Sequence, residues 1–176
     1  MINRVCNALI RMSMKRIYYI LSALLISSYA FSGNYKSFKV SVYTRAYEVE
    51  KMKDLAWLDS TWNILSQQVK VDKIYLETHR DLLIVPGETL EQAKKFFLDK
   101  GIEVGGGITY TINEANNFET FCYSDPEHRK MVQEIAEHTA RHFDDFILDD
   151  FFFTSCKCPL CIDARGDRTW AEYRTD

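Results

Sequence analysis

A strand pattern followed by a helix pattern recurs along this chain, and this alternation constrains the fold more than any other sequence feature. Short runs rich in β-branched and aromatic residues, such as FKVSVY at 38–43, are typical of strands. After this run, Leu55, Leu58, Trp62 and Leu65 recur at the spacing of one face of an amphipathic helix. The predicted strands are Phe38–Tyr43, Val71–Glu77, Ile102–Tyr110 and Phe146–Asp150, and the predicted helices are Lys53–Val69, Thr89–Lys100, Ser124–His142 and the start of one more at Trp170–Arg174.

Capping signals set the expected ends of two of these helices. Thr89 with Gln92, and Ser124 with Glu127, have the spacing of a capping box, in which each side chain bonds a free backbone N–H. Gly101 follows the second helix and is typical of a helix end.

The alternation predicts an α/β fold with a parallel sheet. We expect the first half of a (β/α)8 TIM barrel, with a small doubly wound open sheet as the alternative. Polar residues follow all four strands, as on a barrel rim, whereas an open sheet needs them only at its switch point. A whole barrel needs about 250 residues, so 33–176 is predicted to be a partial barrel domain, truncated after its fourth strand. The polar residues are Thr44, Arg45, Glu77, His79, Arg80, Thr109, Thr111, Asp149 and Asp150.

The N-terminal segment predicts export from the cytoplasm. The basic Met14-Lys15-Arg16 precedes the apolar run Ile17–Ala30, and small residues follow, which is the pattern of a secretory signal peptide. The apolar run is about 14 residues long, whereas a spanning helix needs roughly 20. We therefore expect an upstream extension plus signal peptide over 1–32 and a periplasmic or extracellular product, with membrane anchoring by an uncleaved signal as the alternative.

The candidate catalytic residues are carboxylates at strand ends. Asp149 and Asp150 lie between apolar and aromatic runs at the end of the fourth predicted strand, where only one of them would face a barrel interior. Such carboxylates suit glycoside hydrolysis, in which one carboxyl acts as general acid and another as nucleophile or base. The plainer alternative for the pair is a solvated turn or a helix cap after the strand. Apolar neighbours would raise a carboxyl pKa towards the working range. Glu77, which ends the second strand beside His79 and Arg80, is the further candidate; the plainer alternative for it is a surface salt bridge.

Four residues at or beside strand ends are the candidate substrate contacts: Tyr43, Arg45, Arg80 and Tyr110. An arginine at such a position can hold a hydroxyl or a carboxylate, although Arg45 could equally form an ion pair at the surface. The run 105–107 of three glycines lacks the spacing of a phosphate-binding loop. It more plausibly marks a bulge or a close approach of the backbone to other groups.

Four cysteines form a possible metal or disulfide cluster. Cys156, Cys158 and Cys161 form a CxCxxC pattern after the fourth strand, and Cys122 lies in the loop after the third. Four thiolates can bind zinc tetrahedrally in a structural site. Disulfides are the alternative, which export would permit. A thiol-redox site at Cys158-Pro159-Leu160-Cys161 and unpaired thiols are the remaining alternatives. No cofactor is expected to be required for catalysis.

Several segments together resemble a group of exported bacterial proteins described as glycoside hydrolases with a TIM-barrel core. The resemblance extends from Phe38 to the end of the chain, and it implies that the chain corresponds to the N-terminal half of such an enzyme. The segments that carry it are Ile74–Glu77, Phe121–Pro126, Phe146–Phe153, Cys156–Cys161, Gly166–Arg168 and Trp170.

Two hypotheses of function follow. The first is an exported glycoside hydrolase, or an inactive fragment of one, acting on a carbohydrate substrate. The second is a non-catalytic exported domain that binds a glycan or a protein and is stapled by its cysteines. The net charge of −3 gives no support for a nucleic-acid partner. Membrane contact is expected only through the transient signal peptide, and the open sheet edges of a partial barrel predict self-association.

Overall fold

Strands and helices alternate along the part of the chain that the computed structural model describes, residues 37–175. The predicted export segment and the expected domain boundary after residue 32 lie outside these residues. The strands are β1 (Ser41–Thr44), β2 (Lys73–Arg80), β3 (Leu83–Ile84), β4 (Glu103–Ile108), β5 (Thr111–Asn113), β6 (Glu119–Thr120) and β7 (Phe146–Leu148). The helices are α1 (Ala46–Lys51), α2 (Leu55–Gln68), α3 (Gly87–Leu98), α4 (Pro126–His142), α5 (Pro159–Arg165) and α6 (Trp170–Thr175), with a 3-10 turn at Asp150–Phe152.

A parallel sheet is built from β1, β2, β4 and β7, in the order in which these strands follow one another along the chain. The short β3 pairs antiparallel with β2. In the register, Tyr43 lies opposite Tyr75, Glu77 opposite Gly107, and Ile108 opposite Leu148. The α/β class with a central parallel sheet is therefore confirmed, and the carboxyl ends of the four strands lie side by side along one edge.

The main apolar core lies between the sheet and the helices. Ile74 and Leu76 of β2 belong to a buried cluster with residues of α1, α2 and α3 and with Phe143, which follows α4. Because side chains alternate along a strand, Tyr75 and Glu77 face the opposite side of β2. A second, smaller cluster comprises Ile108, Tyr110, Phe121 and Ile135.

The glycine run in β4 marks a close approach of other groups, as predicted. A Cβ atom on Gly105 would lie 2.8 Å from the Tyr75 ring, and one on Gly107 would lie 2.6 Å from the Tyr43 ring. On the other face, a Cβ on Gly106 would lie 2.8 Å from Phe143. Side chains from both sides therefore occupy the space that β4 leaves empty.

An irregularity in β2 changes which side chains share a face. The pairing of β2 with β4 shifts register between Glu77 and His79. As a result Arg80 reaches Glu77, three residues earlier, although residues three apart on a regular strand point to opposite faces. His79 instead packs against the rings of Tyr110 and Phe121.

The predicted capping box of α3 is wrong. This helix begins at Gly87, with Pro86 in the capping position and no side-chain cap. Thr89 lies inside the helix and is buried, and the Gln92 amide donates instead to the carbonyl of Met52 at 2.9 Å. Gly101 does follow the helix with φ of 75°, a conformation that favours glycine.

The predicted capping box of α4 is also wrong. Asp125 caps this helix by accepting a hydrogen bond from the Glu127 N–H at 2.9 Å, and Pro126 occupies the first turn. The Ser124 hydroxyl hydrogen-bonds to the Tyr173 hydroxyl instead. An aspartate one residue later competes for the cap, and the proline fixes where the helix begins.

The last strand of the sheet is an open edge in the described residues. Phe146, Ile147 and Leu148 are 36%, 39% and 42% exposed. This edge is consistent with the predicted self-association, which stays a prediction. Across residues 37–175, no helix is both long enough and apolar enough to span a membrane.

Candidate active site

A network of polar side chains lies where β1, β2, β4 and β7 end, with Glu77 at its centre. Glu77 is fully buried. Its Oε1 accepts hydrogen bonds from the Tyr43 hydroxyl at 2.8 Å and from the Thr109 hydroxyl. Its Oε2 accepts one from the Ala46 backbone N–H, at the start of α1, at 2.6 Å. Both carboxylate oxygens are thus occupied by groups from three different segments.

Arg80 supplies the positive charge of this network. Its Nε and Nη2 donate to Glu77 at 2.8 and 2.9 Å, a bidentate pair that is almost fully buried. Nη1 pairs with Glu114, and Nη2 lies 3.5 Å from Oδ2 of Asp149. Burial acts to lower the pKa of Arg80, but hydrogen bonding to Glu77 and the charge of Glu77 outweigh this and raise it. One cation is therefore surrounded by three carboxylates, and the site carries a net negative charge.

Thr109, which follows β4, connects the buried carboxylate of Glu77 to the part-exposed carboxylate of Asp149. Its hydroxyl hydrogen-bonds to Glu77 and, at 2.9 Å, to Oδ2 of Asp149. It also accepts a hydrogen bond from Arg80 Nη2 at 3.1 Å. A threonine hydroxyl has a single proton, so it can donate to only one of the two carboxylates at a time.

Asp149 and Asp150 follow β7 rather than ending it. Asp149 caps the 3-10 turn, and its Oδ1 accepts the Asp150 N–H at 2.6 Å. The expectation that the two point to opposite faces of a strand is therefore wrong, because the strand ends at Leu148 and the turn brings the two carboxyl groups together. Asp149 is part-exposed beside Thr109, whereas Asp150 is exposed.

The two aspartates have opposite pKa shifts. Burial acts to raise the pKa of Asp149, but hydrogen bonds from Asp150 and Thr109 and the charge of Arg80 lower it overall. The pKa of Asp150 is raised, because its carboxyl hydrogen-bonds to Asp149 and lies beside the charge of Asp149. The main cause is thus a neighbouring carboxylate rather than the apolar surroundings that the sequence suggested.

The remaining predicted substrate contacts lie in different environments. Tyr43 belongs to the network, and burial, followed by the charge of Glu77, raises its pKa. Arg45 is exposed and pairs with Glu48 at 3.2 Å, the arrangement that the sequence left open as the alternative. Tyr110 lies in the second apolar cluster, 3% exposed. None of these positions tests whether the residue contacts a substrate, so that role stays a prediction.

Glu114 is a residue of the site that the sequence did not predict. It follows β5, which pairs with β6 in a small antiparallel sheet, and its backbone N–H donates to the Asp81 carboxylate at 3.0 Å. Asp81 itself is in a turn with φ of 51°. A glutamate in a loop is an ordinary surface residue by its sequence context, so no pattern distinguished it.

The four cysteines of the CxCxxC pattern and the preceding loop do converge. Their sulfur atoms all lie within 4.8 Å of one another, and all four are free thiols. Cys122 and Cys161 are buried, and Cys156 and Cys158 are part-exposed. These four form the thiol cluster, which lies beyond the carboxylate network and contributes no side chain to it.

Comparison with known proteins identifies the family. A family model described as a probable glycosyl hydrolase catalytic domain matches residues 28–176. The chain belongs to this family. The match spans every element of the described structure, including the carboxylate network and the thiol cluster.

A relative of this glycosyl hydrolase family member is an uncharacterized protein of Saccharolobus solfataricus. The two are 30% identical over 133 residues, which cover 69% of this chain and 21% of the relative. The chain thus spans about one fifth of the length of that relative. No solved structure matches the chain at a significant level.

Proposed function

We propose that this chain forms part of the active site of a glycoside hydrolase, with the Asp149–Asp150 pair supplying the proton that the leaving group needs. The observation that carries the proposal is the position of the pair: Asp149 hydrogen-bonds to Thr109 of the buried network at 2.9 Å, and Asp150 lies next to it on the exposed side. The raised pKa of Asp150 beside the lowered pKa of Asp149 agrees with this position. A general acid must hold its proton near the working pH, and two carboxyl groups whose pKa values are pushed apart are typical of acid and base roles. Membership of the family supports the reaction class.

The charge of the site suits this chemistry. Glycosidic bond cleavage passes through a transition state with positive charge on the sugar ring. Arg80 offsets only one of the three carboxylates that surround it, Glu77, Glu114 and Asp149. The remaining negative charge would stabilise a developing cation in a site partly withdrawn from water.

The residues of the network then divide into two roles. Glycosidases need a second carboxylate that is ionised, as nucleophile or base. Glu114 is part-exposed and pairs with Arg80, so it is the candidate for this role. Asp149 hydrogen-bonds to Asp150, which places it closer to the proposed acid than the roughly 5–9.5 Å that separates the two carboxyl groups of a glycosidase. Glu77, fully buried with both oxygens bonded, holds Arg80, Tyr43 and Thr109 in place and acts as a positioning residue.

We further propose that the sheet is the first half of a (β/α)8 barrel. In a TIM barrel, successive parallel strands are neighbours, and the active site lies at their carboxyl ends. The strand order β1, β2, β4, β7 and the position of the carboxylates at these ends support this architecture. The open edge at β7 is where a fifth barrel strand would pair. We also propose that the protein is exported, which the sequence of residues 14–30 supports.

The proposal is tested by hydrolysis of aryl glycosides with good and poor leaving groups. Protonation of the leaving-group oxygen by a general acid speeds cleavage chiefly when the leaving group is poor. Asp150→Asn should therefore lower kcat/KM on poor leaving groups by about 10²- to 10⁴-fold, the typical contribution of a general acid, and leave good leaving groups much less affected. A merely structural effect would lower both rates equally.

Asp59→Asn is the matched control. It makes the same change at an exposed aspartate on α2, whose side chain is paired with Lys100 at 3.7 Å, away from the network. Full activity in Asp59→Asn with the selective loss in Asp150→Asn supports the proposal. Because the proposal makes this chain only part of a barrel, these rates are measured in a protein in which the barrel is complete. Absence of hydrolysis across all sugars by that protein, with retained binding of an oligosaccharide, would instead favour a non-catalytic glycan-binding domain.

A further inference from the structure

We propose that the thiol cluster of Cys122, Cys156, Cys158 and Cys161 binds one zinc ion in a closed, structural site. The assignment of zinc does not rest on the proposed hydrolase activity, because none of the four cysteines belongs to the carboxylate network. Its role is to fasten together two loops at the carboxyl edge of the sheet.

The geometry of the sulfur atoms fits a tetrahedral zinc. Cys122 Sγ lies 3.5 Å from Cys158 Sγ and 3.3 Å from Cys161 Sγ, and the last two are 3.8 Å apart. Zinc bound to four thiolates at about 2.3 Å places the sulfurs roughly 3.8 Å from one another. A disulfide would instead join the sulfurs in pairs at about 2.05 Å and leave the pairs apart. Four mutually close sulfurs are therefore the arrangement of a metal site.

The local backbone holds three of the ligands in place. Cys158 is the capping residue of α5, and Cys161 lies in the first turn of this helix. The Cys156 N–H donates to the Thr154 hydroxyl at 3.1 Å. Pro159 at the start of α5 fixes the chain between Cys158 and Cys161 so that both side chains face the same point.

The surroundings of the cluster also favour a structural rather than a catalytic metal. With four protein ligands no coordination position is left for water or substrate, and Cys122 and Cys161 are only 4% and 2% exposed. The Cys122 N–H donates to Nδ1 of His128 at 2.9 Å, which anchors this ligand to α4. On binding, four S–H protons leave to solvent and four S–Zn bonds form, so no oxidant is required.

The site would determine the position of the segment that carries the catalytic pair. Cys122 belongs to the loop between β6 and α4, whereas the other three ligands follow the 3-10 turn that begins at Asp150. Two hydrogen-bonding contacts connect the segment around Cys122 with the segment that precedes Cys156. The Tyr123 hydroxyl donates to the carbonyl of Phe152 at 2.6 Å, and the Thr120 and Thr154 hydroxyls lie 3.1 Å apart. A metal bound by the four cysteines would add a cross-link between the two loops beside these contacts.

The first test is the metal content of the full chain, purified without chelator or added metal and measured by inductively coupled plasma mass spectrometry. We expect one zinc per chain, and four thiols that react with a disulfide reagent only after the metal is released. Replacement of zinc by cobalt should give the visible absorption bands of a tetrahedral cobalt thiolate site. Iron in place of zinc, or no metal and two disulfides in the intact mass, would overturn the proposal.

Two variants make the assignment specific. Cys161→Ser should lose the bound zinc, whereas Cys6→Ser, which removes the cysteine outside the cluster, should keep one zinc per chain. Zinc retained at full stoichiometry in Cys161→Ser would show that the metal binds elsewhere and refute the site. If Cys161→Ser does not fold, the cobalt spectrum of the unaltered chain still decides between the two outcomes.

Discussion

Substitution of Arg80, the buried cation paired with Glu77, is the most direct test of what stabilises the carboxylate network. Arg80→Met keeps most of the side-chain length but leaves Glu77, fully buried, without its bidentate partner. Breaking a buried ion pair by removing one partner costs about 3–5 kcal/mol, because the remaining charge is left uncompensated. A domain has a total stability of about 5–15 kcal/mol, so this loss would be a large fraction of it.

The assay is urea denaturation followed by circular dichroism, which gives the free energy of unfolding. The control is Arg45→Met, since Arg45 is exposed and forms only a surface pair with Glu48; its expected cost is below about 1 kcal/mol. The double variant Glu77→Gln/Arg80→Met also removes the unpaired charge of Glu77, so its free energy of unfolding should be about 2 kcal/mol higher than that of Arg80→Met. A loss in Arg80→Met no larger than that in Arg45→Met would refute the view of Arg80 as the buried counter-charge.

Three further predictions follow from the pKa shifts, the glycine run and the open edge. Carboxyl NMR should show Asp149 titrating below its ordinary range and Asp150 above it. Asp149→Asn should lower the pKa of Asp150, because it removes the neighbouring negative charge. The stability that Asp149 contributes should be lost as the pH falls through its lowered pKa. Gly107→Ala should lower the free energy of unfolding by about 1–3 kcal/mol, because the new methyl overlaps the Tyr43 ring, and adding Tyr43→Ala should remove most of that clash. Ile147→Lys should reduce self-association in analytical ultracentrifugation while changing stability by less than about 1 kcal/mol, because this edge residue is 39% exposed; an unchanged molar mass would contradict the role of β7.

The alternation of strands and helices could be predicted from the sequence because it depends on local periodicity. The apolar spacing in 53–69 predicted α2, observed at Leu55–Gln68, and the β-branched content of 71–77 predicted β2. Short elements such as α1 and β3 were missed, since six or fewer residues show too little periodicity. Strand order is non-local, so the sequence left both the sequential order of a barrel and a doubly wound order open, and the structure has the sequential one.

The site could be predicted only in part, for a reason that β2 illustrates. Glu77, Asp149 and Tyr43 were found because they lie at or near the predicted ends of strands, and strand ends of a parallel sheet meet at one edge. Strict alternation would have placed His79, not Arg80, on the face of Glu77. The shift of register in β2 reverses this, and it depends on pairing with β4, which a single strand's sequence does not reveal.

The glycine run carries a consequence for how the sequences of distant family members can vary. Any substitution of glycine adds a Cβ, so Gly105 and Gly107 can change only if the ring that fills their space changes too. Position 105 should therefore covary with 75, and position 107 with 43, and a relative that has a small residue at 43 is free to carry alanine at 107. These two pairs give a sequence signature, readable without any structure, of which relatives keep the tyrosine-over-glycine contact across the sheet.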